Sequence, residues 1–177
     1  MSAVVRNGIP DVRGKRALVY SLGIEGRDLA SWLVANGAAV VMSDTRSDEL
    51  LREAGAVAPH GVEAVVTGRP LLEADGFDLL ALSQSVLRHD PHVVRARELG
   101  IPVVSQMQLF LRLCRGRLVG ITGSSGKSTT TALVAGMAEA AGVEHVVGGN
   151  IGEALLGRLD EINESTLVVL EVSHTQL

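Results

Sequence analysis

Residues 120–131, GITGSSGKSTTT, gather glycines, hydroxyls and one lysine between an apolar run and a helical one, the groups best suited to hold a polyphosphate. The common phosphate-loop pattern, G-x-x-x-x-G-K-[ST], needs a glycine six residues before the lysine. Counting back from Lys127 that position is Ile121, so this loop departs from the pattern. The chemistry does not depend on that glycine. Gly123 and Gly126 let the backbone turn so that successive N–H groups, including those of Ser124 and Ser125, converge on one concavity that attracts anions. A helix starting near Ser128 and Thr129 adds the positive end of its dipole. Lys127 supplies a full charge for terminal phosphate oxygens, the catalytic contribution expected of it, and the Ser128 hydroxyl is a hard-oxygen ligand suited to Mg²⁺. The competing reading is a glycine/serine turn with a solvated lysine.

A metal at such a loop needs an acidic partner at the end of a neighbouring strand, and LVVLEVS supplies Glu171. Ligands of open α/β sheets bind at the carboxyl ends of strands. Alternatively Glu171 is an edge-strand carboxylate in solvent. A second glycine turn, SLGIEG (21–26), resembles G-x-G-x-x-G with Ser21 in place of the first glycine. It either cradles a diphosphate or serves only as a turn. Asp44, some 20 residues on, is placed to accept from a ribose or a base N–H, or is a polar strand terminus.

Alternating strands and helices must position these groups. RALVYSL (16–22), AAVVMSD (38–44), GVEAVVT (61–67), FDLLALS (77–83) and IPVVS (101–105) read as strands. GRDLASWLVANG, SDELLREAG and PHVVRARELG read as the helices between them, the first closed by Asn36-Gly37. The pattern then repeats: RLVGIT (117–122), VEHVVGG (143–149) and STLVVLEVS (165–173) as strands, TTTALVAGMAEAAG and NIGEALLGRLDEI as helices. Such alternation predicts an α/β protein with parallel sheets. The expected domains are a Rossmann-like unit over 1–104 and the beginning of a phosphate-loop α/β unit over 105–177, expected to be unfinished.

Composition narrows the function further. Hydrophobic residues make up 46% and charged residues 20%, as in a globular chain. A net charge of −4 and only four aromatic residues argue against nucleic-acid partners. No apolar run approaches the ~18 residues that would span a bilayer, so no membrane insertion is expected. The single cysteine, Cys114, cannot form an internal disulfide, which suits a reducing cytoplasm.

TGSSGKSTT (122–130), GGNIG (148–152) and LEVSHTQL (170–177), with DTR (44–46) and LGIPVVSQMQLF before the loop, together resemble the Mur ligase family. The resemblance is greatest to its members that add D-glutamate to UDP-N-acetylmuramoyl-L-alanine in peptidoglycan precursor synthesis. It implies an ATP- and Mg²⁺-dependent amide-bond ligase working through an acyl phosphate, of which this chain would carry the UDP-substrate domain and part of the ATP domain. Such a fragment is expected to bind ligands, not to turn over, and to be a monomer. By resemblance, residues 123–129 hold ATP, and Ser128 and Glu171 hold the metal. Gly23, Ile24 and Glu25 face the UDP diphosphate, Asp44, Thr45 and Arg46 the nucleoside, and Ser83 lies in the same site. Asn150 contacts the sugar–peptide part and Ser173 lies near metal and phosphates. Asn150 also suits a helix N-cap.

Several positions depart from the family pattern: Ser21, Glu25, Gln84-Ser85, Gln106 and Gln108, and His174-Thr175. A carboxylate such as Glu25 beside a diphosphate is unfavourable unless it points away. His174 is read as a packing or loop residue. The departures cluster around the UDP-sugar site, which leaves a diverged homologue whose first domain binds another substrate or partner as the alternative. A folate polyglutamylating ligase and a redox Rossmann enzyme fit less well, the first for lack of a preceding Rossmann-like domain, the second because another nucleotide loop follows.

Overall fold

The computed structural model describes residues 11–83, 86, 89–149 and 154–173. These divide into two compact units, on either side of the bond between Arg112 and Leu113. The expected division at 104/105 lies eight residues earlier.

In the first unit, β1 (Arg16–Tyr20), β2 (Ala39–Ser43), β3 (Ala64–Val66), β4 (Leu79–Leu82) and β5 (Val103–Ser105) form one parallel sheet in the order β3-β2-β1-β4-β5. The helices are α1 (Ile24–Ala35), α2 (Asp48–Glu53), α3 (Pro91–Glu98) and α4 (Gln106–Leu113). The near-continuous apolar runs of β1, β2 and β4 reflect burial on both faces, whereas β3 at the sheet edge is largely exposed. Leu18, Tyr20, Val41, Leu80 and Leu82 pack with Val93 and Ala96 of α3 on one face. Strand alternation turns Ala17, Val19, Val40, Met42 and Ala81 to the other, where α1 buries Leu29, Ala30 and Leu33.

Local signals explain the helix ends. Ser47 caps α2 by accepting from Leu50 N, and Asp90 caps α3 by accepting from His92 N, with Pro91 at its first position. Within the same unit Gln106 donates through Nε2 to Asp28 at 2.9 Å, anchoring α4 to α1.

The second unit holds β6 (Arg117–Ile121), β7 (His145–Gly149) and β8 (Leu167–Glu171), with α5 (Lys127–Ala140) crossing between β6 and β7. The three strands are parallel in the order β6-β8-β7, so the last strand in sequence lies between the other two. The α-helix expected over 150–162 is corrected: within the described residues a 3₁₀ helix runs from Leu156 to Glu161. Gly157 weakens an α-helix there, and Leu155 is drawn down onto Gly148, where an added Cβ would come within 2.2 Å of its side chain. No helix among the described residues is long and apolar enough to cross a membrane.

Candidate functional site

In the first unit the candidate site lies at the carboxyl ends of β1, β2 and β4. The chain leaves β1 through Ser21, which takes a left-handed conformation with φ of 82°. Its hydroxyl accepts from Gly23 N at 3.1 Å. Gly26 follows in α1 because nothing larger fits: a Cβ there would stand 1.9 Å from the Ser21 carbonyl oxygen. The third glycine of the turn pattern therefore serves close packing of helix on strand.

Asp44, one residue beyond β2, is 4% exposed and ties the turn together. Its Oδ2 accepts from Leu22 N at 2.7 Å and from Arg46 Nη2 at 2.6 Å. Its Oδ1 accepts from Arg46 N at 3.0 Å and from Arg46 Nε at 2.9 Å. Burial by itself would raise the pKa of this carboxyl, but the Arg46 side chain and the two backbone donors outweigh it, so the group stays below its ordinary carboxylate value. The same contact raises the Arg46 pKa. Arg46 is half exposed and uses two of its five N–H donors on Asp44, leaving others for a ligand.

A cavity of about 550 Å³ opens beside this turn. Its lining brings together Ser21, Gly23, Asp44, Thr45 and Arg46, completed by Leu71, Val86 and Asp90. Five chemistry-bearing residues from two separate sequence stretches thus meet in one concavity. Ile24, 60% exposed, and Glu25 are not part of the lining. Ser83, buried at the end of β4, is not part of it either. Asp90 was missed by sequence reasoning. Its one local signal, the Asp-Pro pair, announces a helix cap and says nothing of a cavity.

In the second unit β6 ends at Ile121 and the chain turns through Gly123, Ser124, Ser125 and Gly126 into α5. Gly126, the N-cap residue, has φ of 77° and ψ of 0°, a conformation that a side chain would strain. Ser124, Ser125, Ser128 and Thr129 are exposed, and Lys127 donates through Nζ to the Gly123 carbonyl oxygen at 2.7 Å. The lysine thus lies over its own loop, where a phosphate oxygen would compete for its protons. Thr131 is buried and bonds back to Lys127 O at 2.9 Å, which fixes the first turn of the helix.

Glu171 closes β8 in register with Ile121 on one side and Gly149 on the other. It is therefore neither on an edge strand nor in solvent; it is 1% exposed at the end of the central strand. A Cβ on Gly149, whose φ is 101°, would meet Glu171 O at 2.2 Å, so glycine is needed for the chain to leave β7 beside it. A buried carboxylate and a serine hydroxyl are hard oxygen donors that fit Mg²⁺. No group of three or more His, Cys, Asp or Glu side chains is clustered for a metal among the described residues. Ser173 follows two residues later and is half-buried. Asn150, Gln84-Ser85 and His174-Thr175 lie outside the described residues.

No protein-family model matches the chain. Among curated proteins, the UDP-N-acetylmuramoylalanine–D-glutamate ligase of Symbiobacterium thermophilum is 38% identical over 170 residues, covering 92% of this chain and 36% of that protein. The protein of the same name from Acidobacterium capsulatum is 36% identical over 168 residues, covering 94% of this chain and 36% of the relative. The chain thus spans about a third of the length of the curated relatives it matches. Among solved structures, the pseudomurein peptide ligase type C of Methanothermus fervidus overlaps 89% of this chain and 33% of its own at 21% identity and a TM-score of 0.46, a level of likeness that decides nothing. Identity of 36–38% sustained over more than nine-tenths of the chain carries more weight: over nearly its whole length the chain is similar to a third of these D-glutamate ligases.

Proposed function

We propose that the chain is the UDP-substrate-binding unit and part of the ATP-binding unit of a ligase that joins D-glutamate to UDP-N-acetylmuramoyl-L-alanine. The observation that carries this reading is the second-unit loop. A glycine/serine turn with Lys127 leads into α5, and Glu171 stands in register with the strand residue from which that loop departs. This occurs in a chain whose relatives bear the name of that ligase. The protein is read as acting in the cytoplasm, as a monomer, with ATP and Mg²⁺.

The chemistry explains the parts. A carboxylate is a poor electrophile because its oxygen is a poor leaving group. Transfer of the γ-phosphoryl group of ATP to the substrate's carboxylate oxygen, with ADP departing, makes that oxygen a phosphate. The amine of D-glutamate then adds to the carbonyl carbon, loses a proton, and expels phosphate to leave an amide. Phosphoryl transfer needs positioning and charge neutralisation more than covalent help. Residues 123–126 would orient the phosphates through backbone N–H groups, and Lys127 would neutralise charge on the terminal ones. Ser128 and Glu171 would hold Mg²⁺, whose contribution is to screen the phosphate oxygens. In the first unit, Thr45 and Arg46 would bind the nucleoside, and Gly23 would border the diphosphate. Ile24, Glu25, Ser83, Asn150 and Ser173 remain assigned to substrate by family pattern alone.

Calorimetric titration of the chain with UDP-N-acetylmuramoyl-L-alanine, UDP and ATP–Mg²⁺ tests the reading. Saturable binding of both the sugar nucleotide and ATP–Mg²⁺ is expected. At a ligand concentration of about 100 times Kd, each would stabilise the fold by roughly 2.7 kcal/mol. Binding of ATP without response to the sugar nucleotide would replace the reading with a diverged ligase acting on another substrate.

A further inference from the structure

The turn after β1 differs from an open diphosphate cradle in who occupies its donors. Leu22 N–H is held by Asp44 Oδ2 at 2.7 Å, and Gly23 N–H by the Ser21 hydroxyl at 3.1 Å. Two backbone donors that a glycine-rich turn would aim at an anion are thus consumed by the protein's own side chains. Ser21 is also the one non-glycine residue with positive φ among the described residues. It keeps this disfavoured conformation where glycine would be unstrained. The turn fits around it: a Cβ at Gly23 would stand 3.3 Å from Ser21 Oγ, tighter than ordinary packing.

A hydroxyl oxygen that accepts an N–H still has its own proton to donate. Among the described residues no protein group takes the Ser21 proton, and Ser21 lines the 550 Å³ cavity. Charge decides which part of a ligand meets it. Asp44 and Asp90 also line the cavity and disfavour a second anion beside them, although Arg46 compensates Asp44. Ser21 and Gly23 instead lie immediately before α1, whose positive dipole end favours negative charge.

We propose that the Ser21 hydroxyl, held by Gly23 N–H, is the hydrogen-bond donor this chain presents to the diphosphate of a nucleotide in the first-unit cavity, replacing the backbone donors already taken. The inference rests on the nucleotide reading of that cavity. It makes Ser21 a specificity residue: it discriminates diphosphate from bare nucleoside and adds nothing to uridine binding.

The test is the ratio of UDP to uridine affinity, measured by calorimetry on the whole chain. Wild type should prefer UDP. Ser21→Ala leaves a methyl group in front of Gly23 N–H and removes the donor. It should lower the UDP preference about tenfold, the effect of one hydrogen bond to a charged group, with uridine affinity unchanged. Ser21→Gly returns the backbone N–H to the cavity and relieves the positive φ. It should recover the preference and melt higher than Ser21→Ala. A preference that is unchanged or increased in Ser21→Ala overturns the inference while leaving the nucleotide reading intact. Wild type that binds neither UDP nor uridine overturns both.

Discussion

Asp44→Ala is the perturbation that best isolates how the first unit holds its turn. The carboxylate accepts four hydrogen bonds, and the cost of deleting it can be divided among them. Leu22 N–H is in a buried contact and loses its acceptor, which costs about 1–3 kcal/mol. Arg46 N–H is only partly buried and can turn to water, so about 0.5–1 kcal/mol is lost there. The Arg46 guanidinium is 41% exposed, and solvent screening limits its share to about 1 kcal/mol or less. Recovery of the desolvation cost of a buried charge offsets part of the sum, leaving a net loss of about 1–4 kcal/mol at neutral pH. Trp32, the only tryptophan, lies in α1, so its fluorescence in a urea titration reports this unit alone. Arg46→Met should cost less than about 1 kcal/mol in the same assay. The pH dependence has a definite sign. The Asp44 carboxyl titrates lower folded than its ordinary value of 3.8. Its contribution is therefore complete above that value and is lost as pH falls through the folded pKa, so wild type and Asp44→Ala should diverge at pH 7 and converge in acid. Equal losses for Asp44→Ala and Arg46→Met, or a gap between wild type and Asp44→Ala that does not narrow in acid, would refute the division.

Gly26→Ala should destabilise the first unit by about 3 kcal/mol or more, because its Cβ meets backbone, not a yielding side chain; Trp32 fluorescence reads the loss. Gly136→Ala, in α5 with open space around the added methyl, should instead stabilise the second unit by up to about 1 kcal/mol. Circular dichroism must follow that change, since no aromatic residue lies beyond Phe110. Lys127→Ala should abolish ATP–Mg²⁺ binding and leave UDP-substrate affinity unchanged; normal ATP affinity would remove the phosphate-loop assignment. Glu171→Gln should raise the Mg²⁺ concentration needed for tight ATP binding, and an unchanged Mg²⁺ dependence would count against its role as a ligand.

Most elements were legible because each strand is a short apolar run and most helices end at glycine. FDLLALS and IPVVS contain β4 and β5, and LVANG holds the end of α1. Sequence could not supply what arises between elements. Glu171 reads equally as an edge or a central residue until β8 inserts between β6 and β7. Asp90 joins the cavity because the start of α3 is brought up to the ends of strands more than forty residues earlier in the chain, which no local spacing encodes. Residues 150–162 carry an apolar pattern compatible with a helix, yet Gly157 and the packing of Leu155 on Gly148 give a tighter 3₁₀ turn in the described part. Ser21 was visible as a missing glycine. That it would accept a left-handed backbone and turn its hydroxyl onto Gly23 was not.

The two glycine turns, each between a parallel strand and a helix, differ in how their donors are disposed. In the first, side chains of Ser21 and Asp44 take Leu22 and Gly23 N–H, no lysine is present between β1 and α1, and the cavity carries two carboxylates against one guanidinium. In the second, the serines are exposed, and Lys127 sits on its own loop beside a helix terminus. A triphosphate with its metal needs charge neutralisation, which the second loop offers and the first does not. A diphosphate linking a nucleoside to a sugar needs less, since contacts along the rest of the ligand contribute to its binding. If the first cavity takes the sugar nucleotide as proposed, the lack of a cation in its turn would act as a means of selection, keeping ATP out although both ligands carry linked phosphates. Placing a lysine at Glu25, in the first turn of α1, should raise ATP affinity for the first unit more than UDP affinity, because the added charge acts on the larger anion. Equal gains for both nucleotides, measured in Lys127→Ala to silence the second loop, would show that selection lies in the nucleoside contacts instead.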